Sequence, residues 1–103
     1  MKRSRTGALP TAWRRVARIF LALGDPHRQR ILLLFERGER LNVGEIVAAS
    51  TLSRTAVAHH LRVLRDAGVL KSEKAGREVF FWPDVVLVRS ALAAVQDYLD
   101  EHH

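Results

Sequence analysis

The spacing of apolar residues predicts a helix at the start of the chain and a second one directly after it. Apolar side chains recur every three or four residues from Thr11, and the pattern stops near Gly24. Asp25-Pro26 then has the form of a helix start, with aspartate as N-cap and proline in the first turn. This second helix is expected to run to Gly38. The apolar face of the first helix consists of Trp13, Val16, Ala17 and Phe20.

Two further helices are predicted between residues 42 and 68, separated by a short turn. Asn42-Val-Gly-Glu45 has the spacing of a capping box and begins a short helix that continues through Ala49. Ser53 is suited to cap the next helix, over residues 53–66, and Gly68 marks its end. Two helices joined by so short a segment are typical of a helix-turn-helix.

After residue 68 the apolar period changes from helical to two, which predicts a β-hairpin over residues 69–82 with Gly76 in its turn. Pro83 stops the second strand, and a last helix starts near Asp84. Its apolar stripe must be buried against something. The stripe consists of Val88, Ala91, Leu92, Val95, Tyr98 and Leu99. The predicted fold is mainly α with a β wing: a winged helix-turn-helix of about five helices and one hairpin.

Charge is distributed unevenly along this 103-residue chain, whose net charge is +6. Residues 1–18 carry six basic side chains and no acidic one, and residues 53–77 carry six against two. Residues 84–101 have a balance of −3. The length fits a single domain, so we expect a flexible basic arm over residues 1–10 and one folded domain over residues 11–103. The basic segments indicate an acidic partner.

The predicted helix over residues 53–66 has one apolar and one polar face. Val57, Leu61 and Leu64 share the apolar face and are expected to pack inward. His59 and His60 point about 100° apart, so they cannot hold one metal ion together. His59 falls on the polar face, whereas His60 lies beside the apolar stripe and is expected to pack locally.

The polar face has the side chains needed to contact base edges in a major groove. Arginine suits guanine, an alanine methyl suits the thymine methyl, and threonine or histidine suits a base or a phosphate. A basic hairpin tip suits the neighbouring minor groove. The candidate DNA-binding residues are Ser53, Arg54, Thr55, Ala58, His59 and Arg62 in the helix, and Lys74 and Arg77 at the hairpin tip.

Four ordered segments also resemble the signature segments of the ArsR/SmtB family of small bacterial repressors. They are LGDPHRQRILLLF (residues 23–35), LNVGEIV (41–47), LSRTAVAHHLRVLRDAGVL (52–70) and KAGREVFFW (74–82). The resemblance covers about residues 12–100. It implies a cytoplasmic homodimer, joined through its first and last helices, that binds an inverted-repeat operator in double-stranded DNA and is released by an effector.

Two departures from the family pattern leave the identity of the effector open. The chain has no cysteine, so arsenite, persulfide and redox sensing through thiols are excluded. In the zinc-sensing members the last helix carries a ligand set, but here Val86 stands where a histidine is wanted after Asp84, and Asp97 and Asp100 follow. We therefore expect neither a metal site nor a cofactor.

The sequence bears on three other functions besides a DNA-binding repressor without a metal site. An enzyme is disfavoured, because the six glycines are scattered and no histidine pairs with a nucleophile. A winged helix that binds another protein through its aromatic hairpin and last helix stays open. So does a metal-sensing repressor that uses Asp100, His102 and His103. The longest apolar runs are five residues, so no membrane span is expected.

Overall fold

The computed structural model describes residues 7–103. The basic arm predicted over residues 1–10 falls largely outside the described residues, and residues 7–10 precede the first helix. Within the described residues, five helices and a three-stranded antiparallel sheet of order β1-β3-β2 form the predicted winged helix-turn-helix. The elements are α1 (Thr11–Leu23), α2 (Pro26–Leu32), β1 (Leu41–Asn42), α3 (Val43–Ala48), α4 (Arg54–Asp66), β2 (Leu70–Ala75), β3 (Glu78–Pro83) and α5 (Val85–His102).

Side-chain N-caps set the starts of four helices, and three of them were predicted, at Asp25, Asn42 and Ser53. A carboxylate oxygen of Asp25 accepts the backbone N–H of residue 27 at 2.8 Å, and Asp84 caps α5 in the same way. Asn42 and Glu45 form the reciprocal capping box of α3, with bonds of 2.8 and 2.9 Å. Ser53 Oγ accepts the N–H of Ala56 at 3.1 Å at the start of α4. Each bond satisfies a backbone donor that a helix start leaves unpaired.

The core forms where α4 packs against the other elements, and the predicted inner face of α4 is confirmed. Val57, Leu61 and Leu64 are all buried. They meet apolar side chains from every other helix and from the sheet, namely Val16, Ile19, Ala22, Ile31, Ile46, Val69, Leu70, Phe81 and Ala91. Because the inner face of α4 is fixed in this core, its opposite face must point to solvent.

The second helix is shorter than predicted, because α2 ends at Leu32 rather than at Gly38. Beyond that residue the backbone tightens into i→i+3 bonds, from Leu34 to Ile31 and onward. The side chain of Glu39 also accepts the backbone N–H of Glu36 at 3.1 Å. This local bond gives the backbone an alternative to the helix, which the apolar run before it does not reveal.

Two helices leave large apolar side chains exposed, and one of these, Phe20, was predicted to lie in the core. The buried residues of α1 are Val16, Ile19 and Ala22. The buried face is therefore rotated from the predicted one, with Ile19 inward in place of Phe20, which remains 39% exposed. The face is rotated because α2, α4 and α5 all contact α1. In α5, Leu92 and Leu99 of the predicted stripe are 53% and 49% exposed. A single chain therefore does not cover the apolar surface of α1 and α5.

The predicted hairpin is confirmed, but the sheet has one more strand and the turn is shorter than expected. Strand β1 pairs with β3 (Leu41 opposite Phe81) and was not predicted, since a two-residue strand has no alternation to detect. Ala75 pairs with Glu78, so Gly76, with a φ of 65°, and the next residue alone form the turn. Lys74 thus lies in β2 opposite Val79 instead of in the turn itself.

Candidate nucleic-acid interface

The outward face of α4 is exposed to solvent along its whole length. Neither Arg54 nor Arg62 forms an ion pair with any residue in 7–103, so both guanidinium groups can bind an external acceptor. The helix carries no acidic side chain before Asp66, which pairs with Arg65 at 3.6 Å. All six candidate residues of this segment are exposed: Ser53, Arg54, Thr55, Ala58, His59 and Arg62.

The wing presents its two candidate cations at the turn end of the hairpin. Arg77 occupies the two-residue turn and Lys74 precedes it in β2, and both side chains are exposed. The turn projects away from the base of the sheet, where Leu70 pairs with Pro83. The two cations are therefore carried on a short, paired ribbon.

Polar contacts fix the wing to the helix-turn-helix. Asn42, the N-cap of α3, donates from Nδ2 to the carboxylate of Glu78 at 3.1 Å. Arg40 donates to Glu73 in β2 at 2.9 Å, and its guanidinium lies 3.8 Å from the ring centroid of Trp82. Sequence reasoning missed Arg40, because the contact joins residues more than thirty positions apart. The position of the wing relative to α3 is thus set by side chains from both strands of the hairpin.

Gly68 makes the connection from α4 to the wing possible. Its φ is +85°, and a Cβ atom built there would lie 2.5 Å from Cδ2 of Leu87 in α5. The next residue, Val69, accepts the backbone N–H of Asp84 at 2.9 Å. The end of α4, the start of the wing and the start of α5 are therefore in close contact, and only glycine fits at position 68 without displacing a neighbour.

The two adjacent histidines have different surroundings, as predicted. His59 is exposed, whereas His60 is half-buried, with its Nδ1 3.4 Å from Nη1 of Arg28. Burial lowers the pKa of His60, the charges of Arg28, His59 and His27 lower it further, and Asp25 opposes them. His60 therefore serves as a neutral packing and hydrogen-bonding residue behind the outward face.

Arg28 is a further positioning residue that sequence reasoning missed. Besides its contact with His60 of α4, it donates from Nε to the carbonyl of Ala22 in α1 at 2.6 Å. Nη2 of Arg28 donates to the carbonyl of Leu21 at 3.3 Å. Arg28 thus links α1, α2 and α4, and only the tertiary structure reveals these partners.

The carboxyl-terminal residues are more ordered than expected, because α5 continues to His102. His102 is the last residue of α5, and its ring stacks on that of Tyr98 with centroids 4.6 Å apart. Within residues 7–103, no three His, Asp or Glu side chains are grouped so that they could hold a metal ion. Over the same residues, no helix is long and apolar enough to cross a lipid bilayer.

This arrangement defines a class of protein. A short helix, a turn, an exposed second helix backed by the core, and a basic β-wing together form a winged helix-turn-helix, a domain that places its second helix in a DNA groove.

Comparison with known proteins identifies the family within that class. Residues 25–72 match the family model described as bacterial regulatory protein, arsR family. A transcriptional repressor SmtB homolog from Synechocystis is 36% identical over 84% of this chain. The arsenic resistance transcriptional regulator ArsR1 of Pseudomonas putida is 33% identical over 79% of this chain and 69% of its own length. The chain belongs to the ArsR family of transcriptional regulators, which is not a family of enzymes.

Solved structures agree with this assignment. An ArsR-like transcriptional regulator from Rhodococcus superposes with a TM-score of 0.81 at 25% identity, covering 89% of this chain and 86% of the other. The solution structure of a homodimeric winged helix-turn-helix domain from Mycobacterium bovis has a TM-score of 0.70 at 26% identity, covering 99% and 92%. The match to the Synechocystis repressor covers only 64% of that protein's length.

Proposed function

We propose that this protein is a dimeric, sequence-specific DNA-binding repressor that acts in the cytoplasm. One observation carries the proposal: the outward face of α4 is exposed and holds two arginines without an ion pair to any of residues 7–103, while its inner face is buried in the core. The names of two relatives, a repressor from Synechocystis and an arsenic resistance regulator, support a role in transcription.

In this proposal α4 lies in the major groove. Arg54 and Arg62 donate to O6 and N7 of guanine, and the methyl group of Ala58 contacts a thymine methyl. Thr55 and His59 bind a base edge or a phosphate oxygen. The hydroxyl of Ser53 is engaged as the N-cap, so its contribution is to hold the first turn of α4 against the DNA.

The wing supplies contacts beside the reading helix. Arg77 at the turn and Lys74 in β2 reach the adjacent minor groove, whose narrow, electronegative floor attracts basic side chains. Because these contacts are mainly electrostatic, they add affinity more than sequence preference. The bonds that join Asn42 to Glu78 and Arg40 to Glu73 keep the two cations at a fixed distance from α4.

Dimerisation through α1 and α5 completes the proposed binding unit. Phe20 of α1 and Leu92 and Leu99 of α5 remain exposed in the single chain, and burying such side chains stabilises an interface. A similar structure is described as a homodimer. A twofold axis through this surface would place two α4 helices on successive major-groove faces, about 10 base pairs apart, and would require an inverted repeat.

The signal that releases DNA is proposed to act without thiol chemistry, since the chain contains no cysteine. Arsenite or persulfide capture by cysteine, and disulfide switching, have no reactive group here. The effector is accordingly a ligand recognised by other side chains or a change in conditions.

Selection of bound sequences from random duplexes tests the proposal. An inverted repeat should be enriched, with half-sites about 10 base pairs apart, and the selected site should bind about a thousandfold or more tighter than random duplex at physiological salt. Its affinity should also fall steeply as salt rises, because bound phosphates release counterions. Weak binding without sequence preference or salt dependence would instead support the protein-interaction module.

A further inference from the structure

Three histidine rings form a row that runs from the first turn of α2 to the outward face of α4. The ring centroid of His60 lies 5.9 Å from that of His27 and 5.6 Å from that of His59. His27 and His59 are exposed at the two ends of this histidine row, and the half-buried His60 lies between them. The histidine row therefore begins on α2 and ends among the side chains that are proposed to contact DNA.

The centre of the histidine row disfavours a positive charge. Nη1 of Arg28 lies 3.4 Å from Nδ1 of His60. Burial lowers the pKa of His60, and the charges of Arg28 and of the other two histidines lower it further. The carboxylate of Asp25 opposes them, but it also pairs with Arg28 at 3.9 Å and accepts two backbone N–H bonds. His60 is therefore mainly neutral at pH 7 and separates the two outer rings.

Arginines outnumber carboxylates around the histidine row. The charged side chains beside these three rings or beside Arg28 are Arg18, Arg28, Arg30 and Arg62, with Asp25 and Asp66. Asp66 pairs with Arg65, and the one charged side chain of α3, Glu45, is held in the capping box. Within residues 7–103, neither His27 nor His59 forms an ion pair with a carboxylate. A proton added to either outer ring is therefore repelled by its neighbours in the free protein.

A bound phosphate backbone would reverse this balance. Duplex DNA carries one negative charge per about 1.7 Å of helix axis, so a side chain held beside it lies in a strongly negative potential. Histidine is the side chain that ordinarily changes charge between about pH 5 and 8, and small electrostatic effects move it across neutral pH. An imidazole held beside DNA should therefore gain a proton that it lacks in the free protein.

We propose that the histidine row links operator binding to protons: His27 and His59 become protonated when DNA binds, so affinity increases as pH falls. This inference rests on the proposed DNA contact of α4. His59 then binds a phosphate oxygen as a cation, and His27 extends the contact with the backbone from α4 to α2. His60 stays neutral between the two charges. A rise in pH would weaken operator binding without a thiol or a metal ion.

Two measurements on the selected operator at constant ionic strength test the linkage. Affinity should increase at least about fivefold from about pH 8 to about pH 6.5, because uptake of one proton changes affinity by up to about tenfold per pH unit. Calorimetric titrations near pH 7 in two buffers of different ionisation enthalpy count the protons directly, and they should show uptake on binding. An affinity that does not depend on pH, or binding without proton uptake, would overturn the proposal.

Substitutions assign the protons to the histidine row. His27→Gln combined with His59→Gln should reduce the change in affinity over this pH range to less than about twofold and remove the proton uptake. Both side chains are exposed, so the fold should be retained. His102→Gln combined with His103→Gln is the matched control, since it removes two imidazoles at the end of α5 and should keep the pH dependence. An equal loss in both double variants would show a general effect of protein charge and contradict the proposal.

The same titrations separate this inference from the proposed function. A parent protein that binds the operator with sequence preference and steep salt dependence, but without proton uptake, would contradict the proton linkage alone. A parent protein that binds no duplex specifically at any pH in this range would overturn both.

Discussion

At the scale of single residues, the side chains behind the reading helix matter as much as those on its surface. Arg28 donates to a carbonyl of α1 and contacts His60 of α4, so it fixes the angle between these helices. Burial and the charge of Arg28 act in opposite directions on the pKa of the neighbouring carboxyl group of Asp25. Burial tends to raise the pKa of Asp25, but backbone N–H bonds from residues 27 and 28 and the charges of Arg28 and His60 lower it below its ordinary value.

The lowered pKa of His60 predicts how stability depends on pH. Between the folded-state pKa and the unfolded value near 6.5, the unfolded chain binds a proton that the folded chain does not, so stability falls as pH falls through this window. His60→Gln should reduce this loss. Urea unfolding midpoints of both proteins between about pH 7.5 and 5.5 measure it. Parallel pH profiles would show that His60 does not contribute.

Two arginines on α4 should dominate operator recognition. Arg54→Ala and Arg62→Ala should each weaken operator binding by about 1–3 kcal/mol, because each removes a bidentate donor to a base. Arg54→Ala should also relax sequence preference. Fluorescence anisotropy with the selected duplex measures both effects.

Arg89→Ala is the control for these variants, because it removes the same charge from an exposed position on α5. It should bind the duplex nearly as the parent does. If all three variants bind equally, α4 is not the reading helix.

At the scale of elements, the sequence predicted best where a local signal and the core agree. The inner face of α4 followed from helical spacing, and the caps at Asn42 and Ser53 followed from residue type. The predicted end of α2 was wrong because the backbone tightens into i→i+3 bonds after Leu32, which the apolar run does not reveal. The exposure of Phe20 depends on how three helices surround α1, which no local pattern records.

The candidate site was predictable in the same uneven way. The outward residues of α4 follow once its inner face is known, since the two faces of one helix are related by geometry. The contacts made by Arg28 and Arg40 were not predictable, because their partners come from distant parts of the chain. Sequence therefore indicates which side chains are presented, whereas the structure shows what holds them in place.

The junction between α4 and the wing should be sensitive to a single methyl group. Gly68→Ala introduces left-handed strain of about 1–2 kcal/mol, and its Cβ would lie 2.5 Å from Cδ2 of Leu87, so the end of that side chain must shift as well. Gly76→Ala is the matched control, because it also has a positive φ but no atom within 4 Å of its Cβ. Urea unfolding should show the larger loss at Gly68.

A double-mutant cycle between Gly68→Ala and Leu87→Ala isolates the clash. The two changes should be less destabilising together than the sum of their separate effects, because the smaller side chain makes room for the new methyl group. Additive effects would mean that backbone strain alone explains the loss.

At the scale of the whole molecule, charge and apolar surface are separated. Residues 53–77 are strongly basic and residues 84–101 are acidic, so DNA would attract the proposed reading helix and wing and repel most of α5. The exposed apolar side chains on α1 and α5 are then free to contact a second copy. This division agrees with the proposed dimer, in which one surface reads DNA and another joins the protomers.

The dimer surface is tested by placing charge in it. Leu92→Glu and Leu99→Glu should each shift the protein toward monomer, because a carboxylate would lose its hydration in the interface. Analytical ultracentrifugation measures the assembly, and operator affinity should fall in parallel because one half-site binds weakly.

Leu33→Glu provides the comparison, since Leu33 is 74% exposed but lies in the turn after α2. It should leave both assembly and operator affinity nearly unchanged. A parent protein that sediments as a monomer at all concentrations would contradict the proposed dimer.

The Asn42 side chain, which caps α3 and also donates to Glu78 of the wing, has a consequence for regulation. A wing joined in this way to the start of α3 cannot swing without breaking the Asn42–Glu78 bond and the pairing of β1 with β3. Each protomer should therefore behave as a rigid body in which the distance between α4 and the wing stays constant. An inducer would then have to change the orientation of one protomer relative to the other and leave the distance between α4 and the wing of each protomer unchanged.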